Sequence, residues 1–295
     1  MKPILFPDRV CSDFEGYSFL LELESNVQSK FKTEIVLDFS RTIWFEANLC
    51  AVLGAIINNT QIRLNNVLFT NINNRIQDVF LRNHFLASFY GLVIPDSSNT
   101  TIKYRKNRLT EEKLIKEFLF NELVLKQDFP KLSQAAQKEI IRSIFEIYSN
   151  AVIHGNTDYV YSCGQFYPNK KPPRIDFTIV DLGISIKRNV GNFLKRPLTG
   201  IESIEWAIQA QNTTKLKEDN IPGGLGFKLI NDFVKLNKGK VQIVSADGFW
   251  EMKGQTIDSK SFHTEFPGTI VNLEFNLDDK SFYYLTNENV EDIIF

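Results

Sequence analysis

The chain has 295 residues, which is enough for two domains with separate cores. Its hydrophobic content of 43% and its charged content of 23% are ordinary for a soluble globular protein. Lys and Arg together number 34 against 35 Asp and Glu, and the resulting net charge of −1 excludes the strongly basic surface of a general nucleic-acid-binding protein.

The cysteines and the apolar segments predict a cytoplasmic protein that does not enter a membrane. Cys11, Cys50 and Cys163 are odd in number and form no CxxC pair, so we expect free thiols in a reducing compartment. The N-terminus lacks the apolar core of a signal peptide. The longest aliphatic run, Leu49–Ile57, is about half the length of a membrane-spanning helix.

The first hundred residues alternate between short apolar segments and segments of helical periodicity. We predict strands at Phe19–Leu23, Ile35–Phe39 and Val67–Thr70. Apolar residues at helical spacing predict helices at Glu46–Asn58 and Asn74–Ala87. Short buried strands that alternate with helices predict an α/β layer.

A polar break at Asp96–Thr101 is the predicted boundary between a domain at residues 1–102 and a domain at residues 103–295. The basic cluster Lys103–Arg108 follows it, and we interpret this cluster as a solvated linker, with phosphate contact as the alternative. Thr110 and the acids after it then predict a helix that runs to about Gln127.

The next predicted helix, which begins near Ser133 and runs to about Ile153, carries the first candidate site residues. At 100° of rotation per residue, Asn150 lies about 40° and His154 about 80° from Glu146, so the three share one edge. The aliphatic residues lie on the opposite side and face a core. An acid and an amide one turn apart suit a magnesium ion and a nearby water or hydroxyl, although many ordinary amphipathic helices carry the same pair. We expect His154, at the helix end, to be structural.

Two further segments follow along the chain. The strand Pro173–Val180 leads into Asp181-Leu-Gly183, and an acid at the mouth of a buried strand needs a hydrogen-bond donor. The glycines Gly223, Gly224 and Gly226 open an amphipathic helix, where backbone amides suit a phosphate. Taken alone, the glycine cluster is better explained as a helix cap with a flexible loop.

These segments, in this order, resemble the ATP-binding domain of the GHKL superfamily, which includes DNA gyrase, sensor histidine kinases and anti-sigma-factor serine kinases. The resemblance implies a C-terminal α/β sandwich with ATP and magnesium as cofactors. It implies that Asn150 binds the magnesium ion and that Glu146 is the catalytic acid–base group, which activates a water or a hydroxyl. It also implies that Asp181 binds the adenine amine, with Gly183 allowing the base to approach the backbone.

The remaining site residues follow from the same resemblance. Gly223, Gly224 and Gly226 correspond to the triphosphate-binding glycines, and Thr269, before the strand Ile270–Phe275, to the threonine that helps hold adenine. The segment between Gly183 and Gly223 resembles the ATP lid, in which Lys215 is a candidate for the γ-phosphate and a solvated lysine is the alternative. Ser185 stands where the family has a second glycine.

A second, looser resemblance covers residues 5–100. Leu37–Ser40 followed by Ile43–Leu49 resembles the strand–loop–helix of STAS domains. Phosphorylatable STAS domains begin that helix with a serine, and this chain has Glu46-Ala47-Asn48 there. We therefore expect a STAS-like docking or regulatory domain that is not phosphorylated, and we expect the ATP-binding domain to stay folded when residues 1–100 are deleted.

The two resemblances imply a cytoplasmic regulatory protein that binds Mg-ATP and hydrolyses it slowly. The alternatives are a serine/threonine protein kinase of the anti-sigma type acting on a separate STAS partner, and an ATP-binding switch that does not hydrolyse. A sensor histidine kinase is disfavoured because the upstream histidine, His84, lies in the STAS-like segment. Expected partners are ATP and a STAS or sigma-like protein, with a homodimer possible and with neither nucleic acid nor membrane.

Overall fold

The structure, a computed structural model, describes residues 2–126, 128–209 and 225–288. The strands of the N-terminal part are β1 (Ile4–Leu5), β2 (Arg9–Val10), β3 (Glu34–Asp38), β4 (Trp44–Phe45) and β5 (Asn66–Thr70). Its helices are α1 (Phe14–Gln28), α2 (Cys50–Ile62), α3 (Asn74–Arg82) and α4 (Ala87–Tyr90).

The C-terminal part contains the longer strands. Its strands are β6 (Thr101–Asn107), β7 (Lys131–Leu132), β8 (Val160–Tyr167), β9 (Arg174–Asp181), β10 (Lys240–Lys253), β11 (Thr256–Asn276) and β12 (Phe282–Tyr283). Its helices are α5 (Glu112–Leu119), α6 (Gln134–Ile153), α7 (Ile186–Leu194), α8 (Gly200–Ile208) and α9 (Leu225–Leu236). The described residues thus form a mixed α/β protein, which confirms the predicted α/β class.

The central element is a five-stranded sheet in the order β10-β11-β9-β8-β6, in which every neighbouring pair is antiparallel. Its middle strand, β9, is buried on both faces. Ile175, Phe177 and Ile179 belong to the core on one face, whereas Val180 belongs to the core on the other. This alternation follows from the two-residue period of a strand, and it explains why β9 reads as a nearly continuous apolar run.

Helices α5, α6 and α9 contribute to the first of these two cores. Ile140, Ile144 and Tyr148 of α6 are buried there together with Ile230 and Val234 of α9. Helix α6 begins where the sequence predicted, because the Oγ of Ser133 accepts a hydrogen bond from the N–H of Ala136 at 3.1 Å. The edge of α6 that carries Glu146 and Asn150 stays partly exposed.

The N-terminal part covers the other face of the sheet. Its strands β1, β3 and β5 form a separate parallel sheet. Helix α2 contacts β5 of this small sheet and strands β8 and β9 of the central sheet, and helix α1 packs against α2 and contacts β11. One continuous hydrophobic core therefore joins the segments predicted as two domains, at residues 1–102 and 103–295.

Buried polar side chains also hold the N-terminal part against the central sheet. The Nδ2 of Asn48 lies 2.9 Å from the Oγ1 of Thr178 and 3.2 Å from the Oδ1 of Asn272, and Asn48 itself is fully buried. Glu46 accepts a hydrogen bond from Arg174 at 2.8 Å. The segment Glu46–Asn48, expected at a docking surface, is therefore covered by β9 and β11 of the same chain.

Arg174 also pairs with the carboxylate of Asp176 at 2.9 Å. Burial, and next the nearby carboxylate of Glu274, raise the pKa of Asp176 to about 8. Asp176 and Glu274 thus share one arginine in a buried cluster, where two ionised carboxylates are costly.

Four local predictions were wrong. The segment Phe19–Leu23 is not a strand but part of α1, because Tyr17, Leu20, Leu21 and Val27 bury a helical face. The predicted helix Asn74–Ala87 is divided in two: α3 ends at Arg82, and His84 adopts a positive φ of 63°. The helix predicted to reach Gln127 ends at Leu119 and continues as a π-helical turn, Phe120–Val124.

The fourth concerns the basic cluster Lys103–Arg108, which is not a linker: most of it forms β6, the edge strand of the central sheet. Charged residues on an edge strand oppose pairing with other sheets. Within the described residues, no helix combines the length and the apolar character needed to span a membrane.

Candidate functional site

Asp181, the last residue of β9, lies at the centre of the candidate site. Its side chain is almost completely buried, and it stands opposite Thr269 in the antiparallel pairing of β9 with β11. Its Oδ1 accepts a hydrogen bond from the N–H of Gly183 at 2.8 Å. Burial raises the pKa of Asp181 to about 7, although the backbone amides of Gly183 and Thr269 act in the opposite direction. The carboxylate is therefore able to gain or lose a proton near neutral pH.

Three glycines bring backbone segments together around this carboxylate. A Cβ on Gly183 would lie 2.0 Å from the carbonyl oxygen of Gly155. A Cβ on Gly268 would lie 2.1 Å from the carbonyl oxygen of Asp181. One on Gly155 would lie 2.1 Å from the carbonyl oxygen of Ala151 and 3.0 Å from the Oδ1 of Asp181. Backbone atoms cannot move away as a flexible side chain can, so these positions need glycine. The sequence analysis assigned a role to Gly183 but none to Gly155.

The C-terminal end of α6 is tied to the loop that follows Asp181. The N–H of Ile184 donates to the carbonyl oxygen of Gly155 at 2.6 Å, and the Nδ2 of Asn189 donates to that of His154 at 2.7 Å. His154 is the C-cap residue of α6, in agreement with its expected structural position. Asn150 lies one turn before His154, and Glu146 one turn before Asn150, so α6 leads these two side chains toward the Asp181 loop.

Hydroxyl groups border Asp181 on the side of the sheet. The Oγ1 of Thr269 lies 3.2 Å from the Oγ of Ser245 on β10. Ser245 Oγ also donates to the carbonyl oxygen of Gly268 and accepts from the N–H of Ile186, each at 2.9 Å. Sequence reasoning missed Ser245, because the register of β10 against β11 brings it to Thr269.

Ser185, which stands where the resemblance would place a glycine, caps helix α7. Its φ of −63° and ψ of 155° are open to any residue, and its Oγ accepts from the N–H of Arg188 at 3.4 Å. Serine is a preferred residue at this position. The local backbone therefore does not require glycine at Ser185.

The structure brings together Asp181, Gly183, Thr269 and the end of the helix that carries Glu146 and Asn150. Gly226 is the second residue of α9, which packs against α6. Lys215, Gly223 and Gly224 lie outside the described residues.

The donor groups on α6 suit a magnesium ion that arrives with a nucleotide. The amide of Asn150 and the carboxylate of Glu146 offer hard oxygen atoms, and Mg²⁺ characteristically takes one or two protein ligands together with phosphates and water. Over residues 2–126, 128–209 and 225–288, no cluster of three or more His, Cys, Asp and Glu side chains suits a metal ion.

No protein-family model matches the chain, and comparisons with curated proteins and with solved structures give no match either. Functional inference therefore depends on the residues and geometry described above.

The raised pKa of Asp181 predicts a pH dependence of stability. The folded state binds this proton more tightly than the unfolded state does, so the unfolding free energy should fall as the pH rises from about 4 to about 7. Relative to Asp181→Asn, the wild type should lose up to about 4 kcal/mol over this range. Urea unfolding of both proteins at several pH values measures the difference between their unfolding free energies. The titration of Asp176 largely cancels in this difference, because both proteins contain that residue. Parallel stability profiles would contradict the buried, titrating carboxylate.

Proposed function

We propose that the chain binds Mg-ATP in a GHKL-type site and hydrolyses it slowly as a regulatory protein. The observation that carries this proposal is the surroundings of Asp181. A buried carboxylate lies among three glycines, opposite a threonine, and beside the end of a helix that carries an acid and an amide. Each of these features has a counterpart in what Mg-ATP requires.

The adenine ring accounts for the features around Asp181. The exocyclic amine of adenine is a donor that a buried carboxylate can accept, and a charged acceptor makes the stronger hydrogen bond. Gly183 and Gly268 let the backbone pack closely around Asp181, because a Cβ at either position would meet backbone atoms at 2.0 and 2.1 Å. The partly exposed hydroxyl of Thr269, held 3.2 Å from the buried Oγ of Ser245, adds a polar group that can bind a ring nitrogen.

The phosphates account for the polar edge of α6. Magnesium, when bound with ATP, offsets the phosphate charge, and Asn150 would hold it through its amide oxygen. Glu146 lies one turn away and would take the proton of the attacking water or hydroxyl. In this proposal Gly223, Gly224 and Gly226 are the triphosphate-binding glycines, and Lys215 is the candidate ligand of the γ-phosphate.

The second candidate is a serine/threonine kinase of the anti-sigma type, and one observation bears on its substrate. The segment Glu46–Asn48, at the STAS-like position of phosphorylation, carries no hydroxyl and is buried in this chain. A phosphorylated STAS partner would therefore be a separate protein. Under either candidate, residues 1–102 serve as a STAS-like regulatory layer in the cytoplasm, and a homodimer or a sigma-like partner is compatible with the proposal.

The proposal predicts that Asp181→Asn and Asn150→Ala both weaken ATP binding. In Asp181→Asn the side-chain NH2 group faces the adenine amine, and two donors cannot form a hydrogen bond. The loss of a hydrogen bond to a charged group costs about 1.5–3 kcal/mol, or about 10- to 150-fold in affinity. Asn150→Ala should weaken binding in the presence of magnesium but not in EDTA, since its role depends on the ion. Calorimetric titration measures both effects.

Asp258→Asn is the matched control for Asp181→Asn, because Asp258 is exposed and pairs with Lys260 near the hairpin tip. This control should bind ATP like the wild type. Wild-type affinity in both site variants would overturn the proposed nucleotide site.

A further inference from the structure

A second cleft, of about 1120 Å³, lies beside the candidate nucleotide site. Helix α7 and the turn Lys195–Leu198 form part of its lining, together with the segment Thr264–Pro267 of β11. Ser25 and Gln28 near the end of α1 also line it, so the cleft combines the N-terminal layer with the C-terminal part. Gly183 and Ser185 line it as well, so the cleft shares Gly183 with the candidate nucleotide site, whereas the basic residues of its lining have no role in the function proposed above.

Most of the charged residues that line the cleft are basic. The four basic residues are Lys187, Arg188, Lys195 and Arg196, and Glu265 is the acidic one among the lining residues. Lys187 is already neutralised, because its Nζ lies 2.8 Å from Asp247 and 2.6 Å from Glu265. Within the part of the chain that the structure describes, Arg188, Lys195 and Arg196 form no ion pair with a carboxylate. Three cations without a carboxylate at ion-pair distance among the described residues therefore line the cleft, and Arg196 also interacts electrostatically with the more distant carboxylate of Glu202.

The fold holds these cations together in spite of their mutual repulsion. Lys195 caps the C-terminal end of α7 in the left-handed conformation, with a φ of 53°. The N–H of Arg196 then donates to the carbonyl oxygen of Gly191 at 3.2 Å, so the chain turns back on α7. The turn brings Lys195 and Arg196 to the same cleft as Arg188.

The rest of the lining indicates which anion fits. Ser25, Gln28 and Thr264 offer uncharged hydrogen-bonding groups, and Pro197 and Pro267 offer apolar surface. The aromatic lining residue, Phe266, is only 1% exposed and so provides no ring on which a nucleic-acid base could stack. The net charge of −1 further disfavours a nucleic acid. Guanidinium groups bind carboxylates in a bidentate manner, and the polar and apolar walls suit a peptide backbone and its apolar side chains.

We propose that this cleft docks an extended acidic peptide segment of a partner protein. Arg188, Lys195 and Arg196 bind its carboxylates, while the remaining lining residues contact the peptide backbone and an apolar side chain. The docking site shares Gly183 with the proposed nucleotide site, but the cations that hold the peptide belong to α7 and the turn after it, so peptide binding is tested separately, without nucleotide.

The test is fluorescence anisotropy of the full chain without nucleotide, with a short fluorescein-labelled peptide of glutamate, glycine and leucine as probe. The wild type should bind this peptide, and raising sodium chloride from about 50 to about 500 mM should weaken binding by screening the charges. The triple variant R188E/K195E/R196E should bind at least about tenfold more weakly. The milder R188Q/K195Q/R196Q should weaken binding in the same direction.

The matched control is K138E/K253E/K280E, which changes the net charge equally at exposed lysines away from the cleft lining. It should bind the acidic peptide within about twofold of the wild type. The proposal is overturned if the wild type does not bind, if folded cleft variants retain wild-type affinity, or if a single-stranded oligonucleotide of equal charge binds more tightly than the peptide. Loss of ATP binding alone would leave it intact.

Discussion

Glu146→Gln is expected to retain ATP affinity while losing about 100- to 10,000-fold in turnover, the usual contribution of a positioned general base. Glu146 lies one helical turn from Asn150, and both stand on the partly exposed edge of α6. Glutamine keeps the size of the side chain but cannot take a proton from a water or a hydroxyl. Calorimetric titration measures the affinity, and ATP radiolabelled at the γ-phosphate measures turnover, since free phosphate reports hydrolysis and labelled protein reports transfer.

Glu139→Gln is the matched control, since it removes an acid from the same helix. Glu139 pairs with Arg142 rather than belonging to the proposed site. Its turnover should equal that of the wild type. Equal losses in both variants would point to a general effect on α6 rather than to a base at Glu146. If the wild type itself neither hydrolyses ATP nor transfers its phosphate to an added STAS protein, the catalytic role fails and the non-hydrolysing switch becomes the better description.

Deletion of residues 2–100 is expected to prevent the remaining chain from folding. It uncovers one face of the central sheet, whose buried core residues are Tyr104, Tyr161, Cys163, Val180, Val244, Phe249, Phe262, Phe266 and Ile270. Burying one large apolar side chain contributes about 1.5–3 kcal/mol, so a few of them equal the whole stability of a typical domain, about 5–15 kcal/mol. The deletion also removes Glu46, an ion-pair partner of Arg174.

This outcome reverses the expectation, drawn from the sequence, that the ATP-binding part survives the deletion. The truncated chain should be insoluble or should lack cooperative unfolding in urea. Co-expression of residues 1–100 as a separate chain is the informative control, because it should restore solubility by covering the same face. A soluble truncated chain with cooperative unfolding and wild-type ATP affinity would contradict the shared core and favour two independent domains.

Local features of the sequence were sufficient for several elements. Ser133 caps α6 as predicted, and the long amphipathic period of that helix placed Glu146 and Asn150 on one partly exposed edge. The strand before Asp181 was also recognisable, because β9 is buried on both faces. The segment Phe19–Leu23 was misassigned because a short apolar run fits a strand and a helix equally well, and only the longer pattern of buried residues in α1 decides between them.

The sequence by itself determined properties that neighbouring residues carry. These are the helix caps, the periodicity, and the order of the segments around Glu146, Asp181 and Gly223. Contacts between distant residues depended on the tertiary structure. Gly155 and Gly268 approach Asp181 from distant segments, and strand register brings Ser245 to Thr269. The buried position of Glu46 and Asn48 likewise arises because β9 and β11 carry polar side chains on the face that meets the N-terminal layer. The physical reason is that burial and close approach belong to pairs of surfaces, and one segment of sequence specifies only its own surface.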